Sequence, residues 1–112
     1  MTEAQELGRV LKIDDLKLLL KNNKILWTSH CLQRMGERDI KRADVKNCIM
    51  NGEIIEDYPD DFPNPSCLIF GTALSGKILH VVAGTDENYL YVITAYCPSE
   101  DKFEKDMKTR RK

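Results

Sequence analysis

The chain has 112 residues, with 17 Lys and Arg against 18 Asp and Glu and a formal net charge of −1; that length suits one domain with one hydrophobic core. Dedicated nucleic-acid binders are basic overall, so an RNA partner would have to be attracted by a local patch and not by bulk charge. The four cysteines, at positions 31, 48, 67 and 97, form no Cys-x-x-Cys pair, which argues against a zinc site or other metal cofactor; with no signal peptide and no apolar run near ~18 residues, a reduced, cytoplasmic, membrane-free protein is expected.

Residues 1–24 read as helical. Leu7, Val10 and Leu11 share one face, and Ile13, Leu16, Leu19 and Leu20 continue the stripe after a break near Lys12. Asp14 and Asp15 suit the first turn of a second helical segment, and Asn22-Asn23 end it. Ile25-Leu26-Trp27 is a short apolar bridge, after which Thr28 or Ser29 can cap the next helix. That helix, Ser29 to Arg38, turns at Asp39-Ile40. A further helix runs from about Arg42 to Asn51, with Val45, Cys48 and Ile49 on its apolar face and Gly52 as its C-cap.

From Glu53 the period becomes extended. Strands are expected over Glu53 to Tyr58, Ser66 to Leu74, Lys77 to Thr85 and Tyr89 to Cys97. A loop with three prolines separates the first two, Ser75-Gly76 forms a two-residue hairpin turn, and Asp86-Glu87-Asn88 forms the last turn. Pro98 ends the sheet, and Ser99 caps a short final helix. The fold class is therefore α+β: N-terminal helices, then a four-stranded antiparallel meander and a short C-terminal helix. The chain divides into a helical extension over 1–27, the α+β domain over 28–98, and a helix with a basic tail over 99–112.

Two groups of residues carry chemistry. At ~100° per residue, Glu37, His30, Arg34 and Arg38 fall within an arc of roughly 100° on the second helix, bordering the apolar arc of Cys31, Leu32 and Met35. A histidine, two arginines and a carboxylate make an anion- and proton-handling edge. The ordinary alternatives are an Arg34–Glu37 surface pair and an Arg38 that serves only the helix's own C-terminal carbonyls. On the sheet, a three-residue turn at Glu87 places His80 opposite Thr94 with Tyr96 on the diagonal. The Ser75-Gly76 turn sets Gly71 beside His80 and leaves space next to the imidazole. The competing reading is a satisfied, half-buried histidine among ordinary β-formers, with Tyr58 in the core.

Five motifs stand in order: HCLQRMGERDI at 30–40, NGEIIEDYPDD at 51–61, PNPSCLIFG at 63–71, ILHVVAG at 78–84 and VITAYCP at 92–98. In these the sequence resembles the bacterial family called domain of unknown function 4258, over roughly residues 28–98. Cys31 and Lys41 depart from the family pattern of Ala and of a Ser or Thr cap. The family is similar to the small ribonuclease-type toxins of the barnase, colicin nuclease and RelE fold. It is also similar to proteins encoded beside a zinc-finger antitoxin. The resemblance implies a metal-independent endoribonuclease of toxin–antitoxin type, acting on RNA free or on the ribosome, with a zinc-finger antitoxin as protein partner.

Such cleavage needs a base for the ribose 2′-hydroxyl, cations on the phosphorane and an acid for the leaving 5′-oxygen. His30 is assigned to acid–base work, Arg34 to the phosphate, and His80 or Tyr96 to the partner proton donor. Arg38, Glu37 and Thr94 bind substrate, and Glu37 orients Arg34 or acts as base. If the helix packs with its charged edge near the strand cluster, His30 and His80 flank one phosphate. The alternative function is a non-catalytic protein-interaction module in which the same residues form an ion-pair network.

Overall fold

The computed structural model describes residues 10–111; the helical reading of 1–9 lies outside them. Helix α1 (Ile13–Lys21) starts where expected, with Asp14 and Asp15 in its first turn, and buries Leu16 and Leu20. Asn23 takes a φ of 60 and redirects the chain. The expected apolar bridge is in fact a strand, β1 (Ile25–Trp27).

Thr28 caps α2 (Ser29–Glu37) by accepting from the Cys31 N–H at 3.0 Å. α2 closes in a Schellman arrangement: Asp39 has a φ of 57, and the Ile40 N–H reaches back to the Met35 carbonyl at 2.9 Å. Ile40 and Met35 are both buried, which supplies the hydrophobic contact of that motif. The closure fixes Arg38 at the C-cap. Helix α3 (Arg42–Asn51) has no Ser or Thr at its start, but Asp44 accepts from the Lys41 backbone N–H at 2.9 Å. The other Asp44 oxygen accepts from the Leu74 N–H at 3.0 Å, tying α3 to the sheet.

Gly52 ends α3, but not by a left-handed turn, since its φ is −105. A Cβ there would lie 2.3 Å from the Cys48 carbonyl oxygen and 2.4 Å from that of Phe70. Glycine is required by close approach of helix and sheet, not by its freedom to turn.

Strands β2 (Glu53–Tyr58), β3 (Ser66–Thr72), β4 (Ile78–Thr85) and β5 (Leu90–Tyr96) form the expected antiparallel meander. The sheet is nevertheless five-stranded and mixed, in the order β1-β5-β4-β3-β2, because β1 pairs parallel to β5. Three apolar residues carry no alternation to mark them as a strand, and the partner lies near the far end of the chain. α2 and α3 pack on one face of the sheet, where Cys31, Met35, Val45, Cys48, Leu79 and Val81 share one core.

The expected C-terminal helix does not form. Ser99 starts a single turn, with the Lys102 and Phe103 N–H groups on its carbonyl, and the chain then folds back so that Phe103 bridges Arg110. Asp106 captures the Lys108 and Thr109 N–H groups at 2.9 and 3.0 Å, a local bond that competes with a helical ladder. Met107, at φ 59, makes the reversal. Two side chains thus remove the segment from helix: an Asp that bonds its own backbone and a Phe drawn onto the sheet.

Candidate functional site on the helix-free face of the sheet

In β4, Leu79, Val81 and Ala83 belong to the helical core, so His80 and Val82 point to the opposite face. His80 pairs directly with Tyr96, and Val82 with Thr94. The expected pairing of His80 with Thr94 is therefore displaced. The turn leaves Thr85 opposite Leu90, one residue longer than expected, and a bulge between Val82 and Ala83 adds another shift. Two one-residue shifts preserve the parity of the strand, so His80, Thr94 and Tyr96 still share a face. On the other side the single-residue slip is not cancelled. Phe70, not Gly71, lies opposite His80. Gly71 faces the helices, where a Cβ would sit 2.5 Å from the Cys48 carbonyl oxygen, and the expected space beside the imidazole is taken by Phe103.

The imidazole is fully enclosed, at 0% exposure. Phe103 stands edge-on at 4.6 Å between centroids, Tyr96 at 5.3 Å and Phe70 at 6.1 Å. Its Nε2 lies 2.7 Å from the Met107 carbonyl oxygen. A carbonyl only accepts, so Nε2 carries the proton, and in the neutral ring Nδ1 is left to accept from the Tyr96 hydroxyl at 3.4 Å. Burial lowers the His80 pKa from the ordinary 6.5, against the opposing pulls of the Met107 carbonyl and the Glu56 carboxylate.

Glu56 is the residue the sequence pattern concealed. Regular alternation would give it the face of Ile54, which packs against the helical core. A bulge between Ile54 and Glu56 sets Glu56, and not Ile55, opposite Leu68, turning the carboxylate to the side of His80. Arg110 grips it twice, Nε to Oε2 at 3.1 Å and Nη2 to Oε1 at 3.0 Å, and the Tyr58 hydroxyl also donates to Oε1. The Arg110 bonds, foremost, hold the Glu56 carboxyl below its ordinary 4.5. Burial and the same carboxylate push Tyr58 up to about 12. Tyr58 is thus a member of the polar network and not plain core.

Arg38 reaches this face from the helical side. Its Nη1 donates to the Ala95 carbonyl at 2.9 Å and lies 3.3 Å from the Thr94 hydroxyl. The reading in which Arg38 serves only its own helix is corrected by this contact. His30 and Arg34 remain exposed on α2, and Arg34 pairs with Glu37 at 3.7 Å, both about half exposed. Cys31 and Met35 hold α2 on the helical face while His80 faces away from it. The arrangement in which His30 and His80 flank one phosphate is therefore not the one the fold presents.

The buried thiols offer no nucleophile, since burial pushes Cys48 and Cys67 up to about 12. A groove of about 490 Å³ lies elsewhere, lined by Leu11, Leu16, Leu19, Thr85 and Glu87; its lining does not include His80, Tyr96, Glu56, Arg38, His30 or Arg34. No helix among the described residues is long and apolar enough to cross a membrane.

Fold and site together define an α+β domain that carries a histidine–tyrosine–glutamate cluster on the face of its sheet turned away from the helices. The chain belongs to the family described as Domain of unknown function (DUF4258), whose model matches residues 27–97. Among curated proteins and among solved structures, nothing matches it significantly.

Proposed function

We propose that the helix-free sheet face is the active site of a metal-independent endoribonuclease of the toxin type, related in fold to the barnase and RelE proteins. The observation that carries this reading is the convergence of His80, Tyr96 and Glu56 on one sheet face, with the Arg38 guanidinium at the Thr94 edge. In the reaction, the neutral His80 imidazole takes the proton of the ribose 2′-hydroxyl and O2′ attacks phosphorus. The P–O5′ bond breaks, the imidazolium so formed, stabilised by the Glu56 carboxylate, returns that proton to O5′, and a 2′,3′-cyclic phosphate and a 5′-hydroxyl result. Arg38 and the Tyr96 hydroxyl bind the non-bridging oxygens, where negative charge collects.

His30 takes a different role from the acid–base assignment made on the sequence, and Arg34 keeps its assignment to phosphate. With Arg38 they stand at i, i+4 and i+8 on α2, rising about 5–6 Å per turn, and form a track for the phosphates that flank the scissile one. Total RNA incubated under chelator with wild type, His80→Ala and Glu56→Gln tests the reading. Cleavage by wild type that both variants lose supports it; equal cleavage by all three, or none by wild type, defeats it.

One observation favours a second reading. In this conformation every polar atom of His80 and the Glu56 carboxylate is engaged within the chain, as in a structural network that steadies a protein-interaction module, an antitoxin's partner among them. RNA affinity measured against salt separates the two, since a nuclease loses affinity steeply as salt rises.

A further inference from the structure

Residues 99–111 contain no helix or named strand, yet through Phe103 and the Met107 carbonyl they complete the enclosure of His80 that Phe70 and Tyr96 begin. Phe103 is their one deeply buried anchor, at 2% exposure. Apart from the Met107 carbonyl bond to His80, the other attachments to the domain lie near the surface: Lys108 Nζ to Glu53 at 2.7 Å, the double contact of Arg110 with Glu56, and the Lys108 cation over the Phe70 ring at 4.9 Å; the Arg110 cation over the Phe103 ring, at 4.8 Å, braces the segment internally. Lys108, Glu53 and Arg110 are each two-fifths exposed or more in these pairs, so solvent and salt screen them. The residue whose carbonyl meets His80, Met107, has the left-handed φ of 59, which a methionine rarely adopts.

We infer that residues 99–111 form a displaceable autoinhibitory strap, docked over His80 and Glu56 and released when a polyanionic single strand draws its cations away. The ribonuclease reading supplies the identity of that polyanion; whether the strap opens is independent of it. In the docked state the Met107 carbonyl oxygen occupies the hydrogen-bonding position at Nε2 that a phosphate or ribose oxygen would take. Arg110 blocks both oxygens of Glu56. An approaching phosphate chain offers Lys108 and Arg110 new counter-ions in exchange for Glu53 and Glu56. Their departure bares a carboxylate and an imidazole together, so the same event that seats the strand frees the catalytic pair.

Chymotryptic cutting at Phe103 in the full-length native protein reports opening, because that ring is accessible only when the strap has left the sheet. Wild type should be cut there while β3 to β5 stay intact. Lys108→Gln should speed the cut by roughly two- to fivefold, the worth of one exposed ion pair. Met107→Gly, which relieves the left-handed backbone, should slow it by roughly the same factor. A short 2′-O-methyl oligoribonucleotide, which binds but cannot be cleaved, should speed it in wild type.

Cutting at Phe103 only in step with cuts in the sheet, or at a rate that neither variant changes, overturns the strap. A second arm separates the strap from the function. Faster cleavage of unmodified RNA by Phe103→Ala than by wild type supports both, and equal cleavage by the two overturns the inhibitory role. Opening at Phe103 with no RNA cleavage by either protein sustains the strap and overturns the ribonuclease reading.

Discussion

The two faces of this sheet are built on different physics. The helical face is closed by apolar side chains from α2 and α3 that are almost wholly buried, Cys31, Met35, Val45, Cys48 and Ile49 among them. Dispersion and the hydrophobic effect act there over a large area and permit little relaxation. The other face is closed by a single buried phenyl ring, a carbonyl bonded to an imidazole, and ion pairs that touch solvent. Its polar atoms are satisfied, but each bond has a partner that water or an anion could replace. A domain that holds one face rigid and the other by exchangeable contacts can open the second without unfolding the first.

The largest expected effect is on the rigid face. Gly71→Ala places a methyl 2.5 Å from the Cys48 carbonyl oxygen and 2.8 Å from its sulfur, so α3 must move off the sheet. The expected loss is about 3 kcal/mol or more, measured by urea unfolding; a change below about 1 kcal/mol would mean that α3 is far looser than the packing implies. Phe103→Ala comes next and is the sharper test of the contrast. Truncating a core Phe costs ~3–5 kcal/mol when the site belongs to the global core. Here the global unfolding free energy should fall by less than about 2 kcal/mol, because the strap contributes mainly its own local stability. A full-sized loss would merge the two faces into one cooperative unit.

Acid should weaken the polar face ahead of the apolar one. The His80 pKa is held below 6.5 by burial, so the unfolded chain takes up that proton at higher pH than the folded one. Stability from this group is intact above 6.5 and is lost as pH falls from there through the folded pKa. Glu56, held below 4.5 chiefly by Arg110, contributes stability that is present above 4.5 and is lost as pH falls through its depressed value. Thermal melting points from pH 7.5 downward should therefore decline in two stages, and His80→Gln should remove the first. A melting point that is flat between pH 7 and 5 in wild type would contradict the buried neutral imidazole.

The rigid face was largely legible in the sequence, and the exchangeable face was not, for physical reasons. Helical periodicity marked α2 and α3, and the expected strand over Glu53 to Tyr58 is β2 without a residue's difference. Alternation placed His80, Thr94 and Tyr96 together. What it could not supply was the two bulges, each a local insertion in a ladder that strand periodicity assumes regular. One bulge turns Glu56 toward His80, and without it the carboxylate would have been counted with Ile54. The Schellman closure that aims Arg38 at Thr94 was signalled by Asp39-Ile40, but only as a turn. The strap reads as helix on local composition, and it is a long-range contact, Phe103 on His80, that overrides it.

The smallest stability effect belongs to the α2 edge, and it separates structure from function most cleanly. Arg34 and Glu37 form an exposed i,i+3 pair at 3.7 Å, worth only ~0.2–0.5 kcal/mol. Arg34→Ala should leave the melting point and the urea midpoint nearly unchanged. If the edge guides phosphates, the same substitution removes one charge contact with a single strand. The slope of log affinity against log salt should then become shallower by about 0.7, the increment for one phosphate on single-stranded nucleic acid. Arg38→Ala should lower the slope similarly but also loosen the Ala95 edge of β5, so its effect is mixed, whereas Arg34 touches nothing on the sheet that the structure records. An Arg34→Ala protein with wild-type stability and a wild-type salt slope would take the α2 edge out of the binding path and leave the helix-free face to act alone.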